Sequence, residues 1–209
     1  MDDIKIQVSH PRLATDQALH DWLKYLEVRS DPSCALLNWS TITTKSLTRP
    51  SDLIISFMPC GAIEVTVKDQ FSRVINFLNA KDDHERMQQL LDILVNCWSE
   101  PGIIGIDLMD IVSVLEASER GVITCIEDVK ELLSYVDRWP DEVAPLLGGC
   151  MITSLQCIYR ENEPTKDNFE RYAFAVDSLA DEEAVVVIGI IQAKTVEEKQ
   201  NAVLYLGLS

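Results

Sequence analysis

The sequence predicts an α/β protein, a mixed sheet covered by helices, and three observations predict it. From Gly121 onward, short apolar runs alternate with amphipathic stretches. Strands and helices in turn imply a sheet with helices packed on it. A helical stripe stands in "DDHERMQQLLDILVNCWSEPG" (82–102), where Met87, Leu90, Leu91, Leu94, Val95 and Trp98 recur at i, i+3, i+4, i+7, i+8 and i+11. Finally, 209 residues with a 47% apolar fraction can bury a sizeable core.

The elements follow in order. "DQALHDWLKYLEV" (16–28) has helical spacing through Leu19, Trp22, Leu23 and Leu26, and "ALLNWSTITT" (35–44) reads as a strand. "LTRPSD" (47–52) reads as a turn, and "DLIISFMP" (52–59) as a fully buried strand closed by proline. "TVKDQFSRVINFLNA" (66–80) can form a helix through Phe71, Val74, Ile75 and Leu78. The long helix after it carries Asp82, Asp83 and Glu85 at its start, where negative charge suits the helix dipole. "PGIIGI" is a tight connection to a helix over roughly 108–118.

Beyond Gly121, "GVITC" (121–125) is a short strand and "IEDVKELLSYVDRW" (126–139) a helix closed by Pro140. "GCMITSLQCIY" (149–159) alternates as a strand. "TKDNFERYAFAVDSLA" (165–180) is a helix capped by Thr165 or Asp167. "AVVVIGII" (184–191) reads as a buried strand and "QNAVLYLGL" (200–208) as a final one. The first fifty residues have no firm assignment, and no internal repeat or low-complexity tract is visible.

Composition narrows the function classes. The net charge is −16, from 34 acidic and 18 basic residues. Such a surface repels nucleic acid and anionic membranes and favours basic protein partners. Six cysteines are scattered without a C-x-x-C pair, most of them among apolar neighbours, as expected of buried core thiols in a reducing cytoplasm. No signal-like leader opens the chain, and no apolar run reaches the ~20 residues that span a bilayer. His10, His20 and His84 are isolated from one another in sequence and from any cysteine at metal-ligand spacing, so no metal is expected. There is no G-x-S-x-G elbow. "DPSC" (31–34) reads as a turn, "RENEPTKD" (160–167) and "DEE" (181–183) as solvated loops, and Trp98 and Trp139 as core residues.

"PGIIGIDLMDIVSVLE" (101–116) poses a sharper question, because Asp107 and Asp110 stand three apart in an otherwise apolar run. Residues three apart share a helix face. One reading is structural: Asp107 caps the helix, worth about 1 kcal/mol, and Asp110 gains from the dipole in the first turn. The other is that both are aimed at a partner.

Together these strings resemble the second half of the FtsZ/tubulin family, over about three quarters of the chain from Ser51 to Leu208. "SDLIISFMP" stands where that family's nucleotide-binding domain ends, and residues 82–100 match its long central helix. "PGIIGIDLMDIVSVLE" matches the following loop, a glycine, two apolar residues, an asparagine and two acids three apart. Asp107 and Asp110 hold the acidic positions, while Gly105 replaces the asparagine. "NFERYAFAVDSLADEEAVVVIGIIQ" and the closing "AVLYLGL" match strings of the C-terminal domain. The resemblance implies a reduced N-terminal region over 1–80, a central helix over 81–100 and an FtsZ/tubulin-like C-terminal domain over 101–209.

Equally informative is what the chain lacks. The family binds GTP through a run of glycines that lets consecutive backbone amides close around phosphates. This chain has eight glycines, and its one adjacent pair is Gly148–Gly149, far downstream of where such a loop belongs. No cofactor and no catalysis of its own are therefore expected. The resemblance implies a non-enzymatic protein acting through protein–protein contact, as partner, cap or regulator of an FtsZ-type polymer or as a self-associating scaffold. Its interaction residues would be Ile103, Ile104, Gly105, Asp107 and Asp110. In the family the loop acids complete a neighbouring subunit's active site. Asp107 and Asp110 could then stimulate GTP hydrolysis in trans, positioning the attacking water. A third alternative is a stand-alone binding or secretion-accessory module sharing only the architecture.

Overall fold

The computed structural model describes residues 6–13, 15–23, 53–96, 102–104, 106, 108–126, 134, 146–154, 170, 173–191 and 202–208. Among these residues nine strands form one mixed sheet: β1 (Ile6–Ser9), β2 (Leu53–Phe57), β3 (Ile63–Val67), β4 (Phe71–Phe77), β5 (Gly102–Ile104), β6 (Arg120–Ile126), β7 (Leu146–Ser154), β8 (Ala180–Ile191) and β9 (Ala202–Leu208). Their spatial order is β1-β2-β3-β4-β6-β9-β7-β8-β5. The pairs β1/β2, β4/β6 and β7/β8 are parallel, and the others antiparallel. The helices are α1 (Asp16–Leu23), α2 (Asp83–Leu91) and α3 (Leu108–Glu116). This is the mixed α/β architecture that the alternation of elements predicts.

α1 lies between β1 and β2 in sequence, as a parallel pair requires of its connection. β1 falls in the stretch left unassigned. Its Ile6 and Val8 are buried on one face while Gln7 and Ser9 are half-exposed, a period of two that is easily lost over four residues. β2 confirms the strand expected at 52–59, although only alternate residues, Leu53, Ile55 and Phe57, are buried.

The stretch 66–80 is not a helix. Its residues form the end of β3, a turn and β4, with Val67 paired to Phe71. Asp69 takes φ 57 at the turn, a left-handed conformation that aspartate tolerates better than most residues. The spacing of Phe71, Val74, Ile75 and Leu78 mimics a helical stripe. Yet Leu78 is 58% exposed, and Ile75, paired with Ile63, is the buried one. β4 is held by β3 on one side and β6 on the other, and this non-local pairing overrides the local pattern. Asn79 extends the β4/β6 pairing, its side chain accepting from the Cys125 N–H and donating to the Cys125 carbonyl.

α2 begins as the charge pattern predicts. Asp82 is its N-cap and accepts from the Glu85 N–H at 2.9 Å, while Glu85 reaches back to the Lys81 N–H at 2.8 Å. Met87, Leu90 and Leu91 are buried, and the chain then winds as a π-helix over Asp92–Asn96, where Ile93 joins Leu94 in the core. The helical stripe read over 82–102 is therefore described from Asp83 to Asn96, as an α-helix passing into a π-helix. Residues 97–101 lie outside the described part.

β6 and β9 match the strands expected at 121–125 and 200–208. β7 begins three residues before the expected 149. β8 begins at Ala180, so "DEE" (181–183) is strand and not loop. Ala184 to Ile188 are half-buried, not fully buried. Residues 173–177 are helical, in agreement with part of the helix expected over 165–180. The strand at 35–44, the helix at 126–139, the loop at 160–167, the turn at 31–34 and the side chains of Trp98 and Trp139 lie outside the described residues. The cysteine expectation is corrected where it can be seen: Cys60 is exposed and Cys125 half-exposed, both as free thiols. Cys60 sits in a tight turn, and Cys125 lies near the end of β6.

The centre of the sheet has the closest packing. Tyr205 of β9 is fully buried opposite Ile123, and its ring lies over Gly121, two residues along β6 on the same face. A Cβ on Gly121 would stand 2.3 Å from the ring, closer than any side chain permits. The phenol is 2.8 Å from the Ser118 hydroxyl, just beyond α3. Gly121→Ala should cost about 3 kcal/mol, the upper end for an overpacked core. Tyr205→Phe should cost about 1 kcal/mol for the hydrogen bond alone. Urea unfolding of the two variants checks both values and their order.

Candidate functional site

The stretch 101–116 places its residues in two elements. Ile103 and Ile104 belong to β5, which ends the sheet order beyond β8. Gly105 and Asp107 lie outside the described residues, so the capping role expected of Asp107 is neither seen nor replaced. Asp110 is half-buried in the first turn of α3, where its charge suits the dipole as expected.

α3 is built to be held at its far end. Ile111, Val112, Val114 and Leu115 are buried, leaving Met109, Ser113 and Glu116 on the exposed stripe. At the C-terminus Arg73 of β4 donates from Nε to the Leu115 carbonyl at 2.9 Å and from a terminal nitrogen to the Glu116 carbonyl at 3.0 Å. These are carbonyls a helix end leaves without intrahelical partners, and a cation there also meets the negative end of the dipole. The same guanidinium lies over the Phe71 ring at 4.6 Å. Met109, by contrast, is 62% exposed in the first turn, beside Asp110. The helix is thus fastened at its C-terminus and presents an apolar side chain and a carboxylate at its N-terminus.

A second cluster of polar and aromatic side chains was not visible in sequence. β1 ends at Ser9, and the chain turns through His10, Pro11 and Arg12. His10 packs on Trp22 and Phe57, its ring centroid 4.7 Å from that of Phe57, and is almost wholly buried. Its Nδ1 accepts from the Arg12 N–H at 3.1 Å. Nε2 is therefore the protonated nitrogen and donates to Asp83 Oδ2 at 3.0 Å. The other carboxylate oxygen of Asp83 takes a 2.6 Å bond from Arg86. His84 also lies against Trp22, so two histidines separated by 74 positions flank one indole. The signal was "SHPR" directly after a strand and "DDHER" at a helix start, but only the fold brings them together. Among the described residues, no group of three or more His, Cys, Asp and Glu is placed to hold a metal, and no helix is long and apolar enough to cross a membrane.

If Arg73 fastens α3, Arg73→Ala should destabilise the protein by about 2 kcal/mol, in the range for hydrogen bonds from a charged donor. It should also raise the amide exchange of the last turn of α3 above that of α2. Arg73→Lys should restore only part, since an ammonium cannot reproduce the guanidinium fork. Hydrogen exchange with denaturant unfolding checks both.

The chain has structural similarity to FtsZ from M. jannaschii. One FtsZ point mutant matches with a TM-score of 0.44 and 16% identity over 60% of this chain and 39% of that one. An empty FtsZ dimer matches with a TM-score of 0.44 and 17% identity over 59% and 37%. The chain thus matches about two fifths of the length of each FtsZ. No family model and no curated protein matches the sequence.

Proposed function

We propose that the protein acts without catalysis of its own, through protein–protein contact, with an FtsZ-type GTPase or a second copy of itself as partner. The observation that carries this reading is the position of β5 at the end of the described sheet, followed five residues later by exposed Met109. An end strand offers a backbone edge for pairing with another chain. A large exposed apolar side chain next to it supplies the kind of contact that anchors an interface. Ile103, Ile104, Gly105, Asp107 and Asp110 form the contact segment. A net charge of −16 directs it toward a basic partner surface and away from nucleic acid and membranes.

The second reading is that Asp107 and Asp110 stimulate GTP hydrolysis in trans. Asp110, half-exposed in the first helical turn, favours it, because a carboxylate there can reach a partner's bound water. The test is GTP turnover and light scattering of an FtsZ from the same organism, with this protein at substoichiometric ratios. The proposal expects a change in polymer scattering that is lost in Met109→Glu. If the acids act in trans, GTP turnover rises and falls back in the Asp107→Ala/Asp110→Ala protein. If FtsZ is unaffected at every ratio, sedimentation decides: a dimer dissociated by Met109→Glu retains the scaffold reading. A monomer would overturn both and leave a stand-alone module.

A further inference from the structure

The geometry points to a small-oxyanion site, best suited to a phosphate group, in the cleft between the ends of β1 and β2 and the start of α2. The cleft has a volume of about 360 Å³, the size of a small-molecule pocket. Its walls are the turn after β1, the Met58–Gly61 turn after β2, and the first turn of α2. It lies at the C-terminal ends of a parallel strand pair, where α/β sheets characteristically leave room for ligands.

Its charge is the opposite of the protein's. Arg12 and Arg86 line it with one carboxylate, Asp83, so the lining is net cationic on a chain of net charge −16. Asp83 pairs most closely with Arg86 and offsets one of the two positive charges, leaving one in excess. Oδ2 takes the His10 Nε2–H and lies 3.9 Å from Arg12, and Oδ1 takes Arg86. It therefore gathers two guanidiniums from different elements around one point. His10, held by aromatic rings and by the Arg12 N–H, fixes Asp83 in turn.

Arg86 is also oriented from the opposite wall. Gly61 takes φ +88, and a Cβ placed on it would stand 3.3 Å from the carbon and both terminal nitrogens of the Arg86 guanidinium. Three equal distances mean that the guanidinium lies flat over Gly61. Arg12 is 82% exposed at the rim, with one long contact to Asp83. One guanidinium is fixed and the other is close and loosely held. A planar carboxylate matches one such fork, whereas a tetrahedral phosphate offers oxygens to two forks arriving from different directions. The ligand is inorganic phosphate or the phosphate of a small metabolite.

The test uses the whole protein with inorganic phosphate as probe, at ionic strength held constant with chloride, and follows backbone amide shifts by NMR. The expected result is saturable movement of the Arg12, Gly61 and Arg86 amides, with acetate acting more weakly. Arg12→Ala, a surface change that leaves the core intact, should weaken phosphate binding about tenfold, as loss of one charge-assisted contact would. A second readout is alkylation of exposed Cys60 by iodoacetamide, followed peptide by peptide, which saturating phosphate should slow. If binding is established, glycerol 3-phosphate distinguishes the sources: tighter binding than inorganic phosphate assigns the site to a metabolite, and equal or weaker binding to the free anion. Shifts that never saturate, binding unchanged in Arg12→Ala, or Cys60 alkylation indifferent to phosphate would each overturn the site.

Discussion

The close contact between Tyr205 and Gly121 at the middle of the sheet is the constraint to which its neighbours must conform. Tyr205 can be buried against β6 because residue 121 has no side chain, and its hydroxyl meets that of Ser118, two residues beyond the end of α3. A buried phenol without a partner would cost about 1–3 kcal/mol. This side chain packs β9 on β6 and links the sheet to the residues just after α3. Since β6 joins the β1–β4 part of the sheet to the β9–β7–β8–β5 part, that register aligns both halves.

The placement of α3 follows from this. Its last turn is tied by Arg73 to β4, Ser118 just beyond it meets Tyr205 of β9, and its buried stripe packs toward β7 and β8. Its first turn carries exposed Met109 beside half-buried Asp110.

The cleft beside α2 works by a different logic. Asp83, held by His10, gathers its arginines, and Gly61, at positive φ, underlies Arg86. Such support distinguishes Arg86, held by Asp83 and lying over Gly61, from Arg12, which is exposed at the rim. It also explains why a histidine with no metal-ligand spacing has a defined place: His10 holds Asp83, and Asp83 gathers the arginines.

Much of the fold was legible in sequence. The strands at β2, β6 and β9 and the start of α2 followed from apolar runs, turn residues and the acids of the first turn. So did the position of Asp110 and the mixed α/β class. The helical reading of 66–80 failed because four apolar residues at helical spacing also fit a hairpin, and only pairing with β6 on the far side decides between them. β1 was too short to carry a period, and the acids at 181–183 masked the start of β8 because charged residues occupy strand ends as readily as loops. Most element types, the acidic surface and the lack of a glycine-rich phosphate loop were set by the chain alone, since composition and local periodicity need no partner. Folding was required to put β5 at the end of the sheet, to tie α3 to Arg73 across 42 positions, and to bring His10 to Asp83 across 73. Contacts between distant residues are set by strand order and helix placement, which no short window of sequence contains.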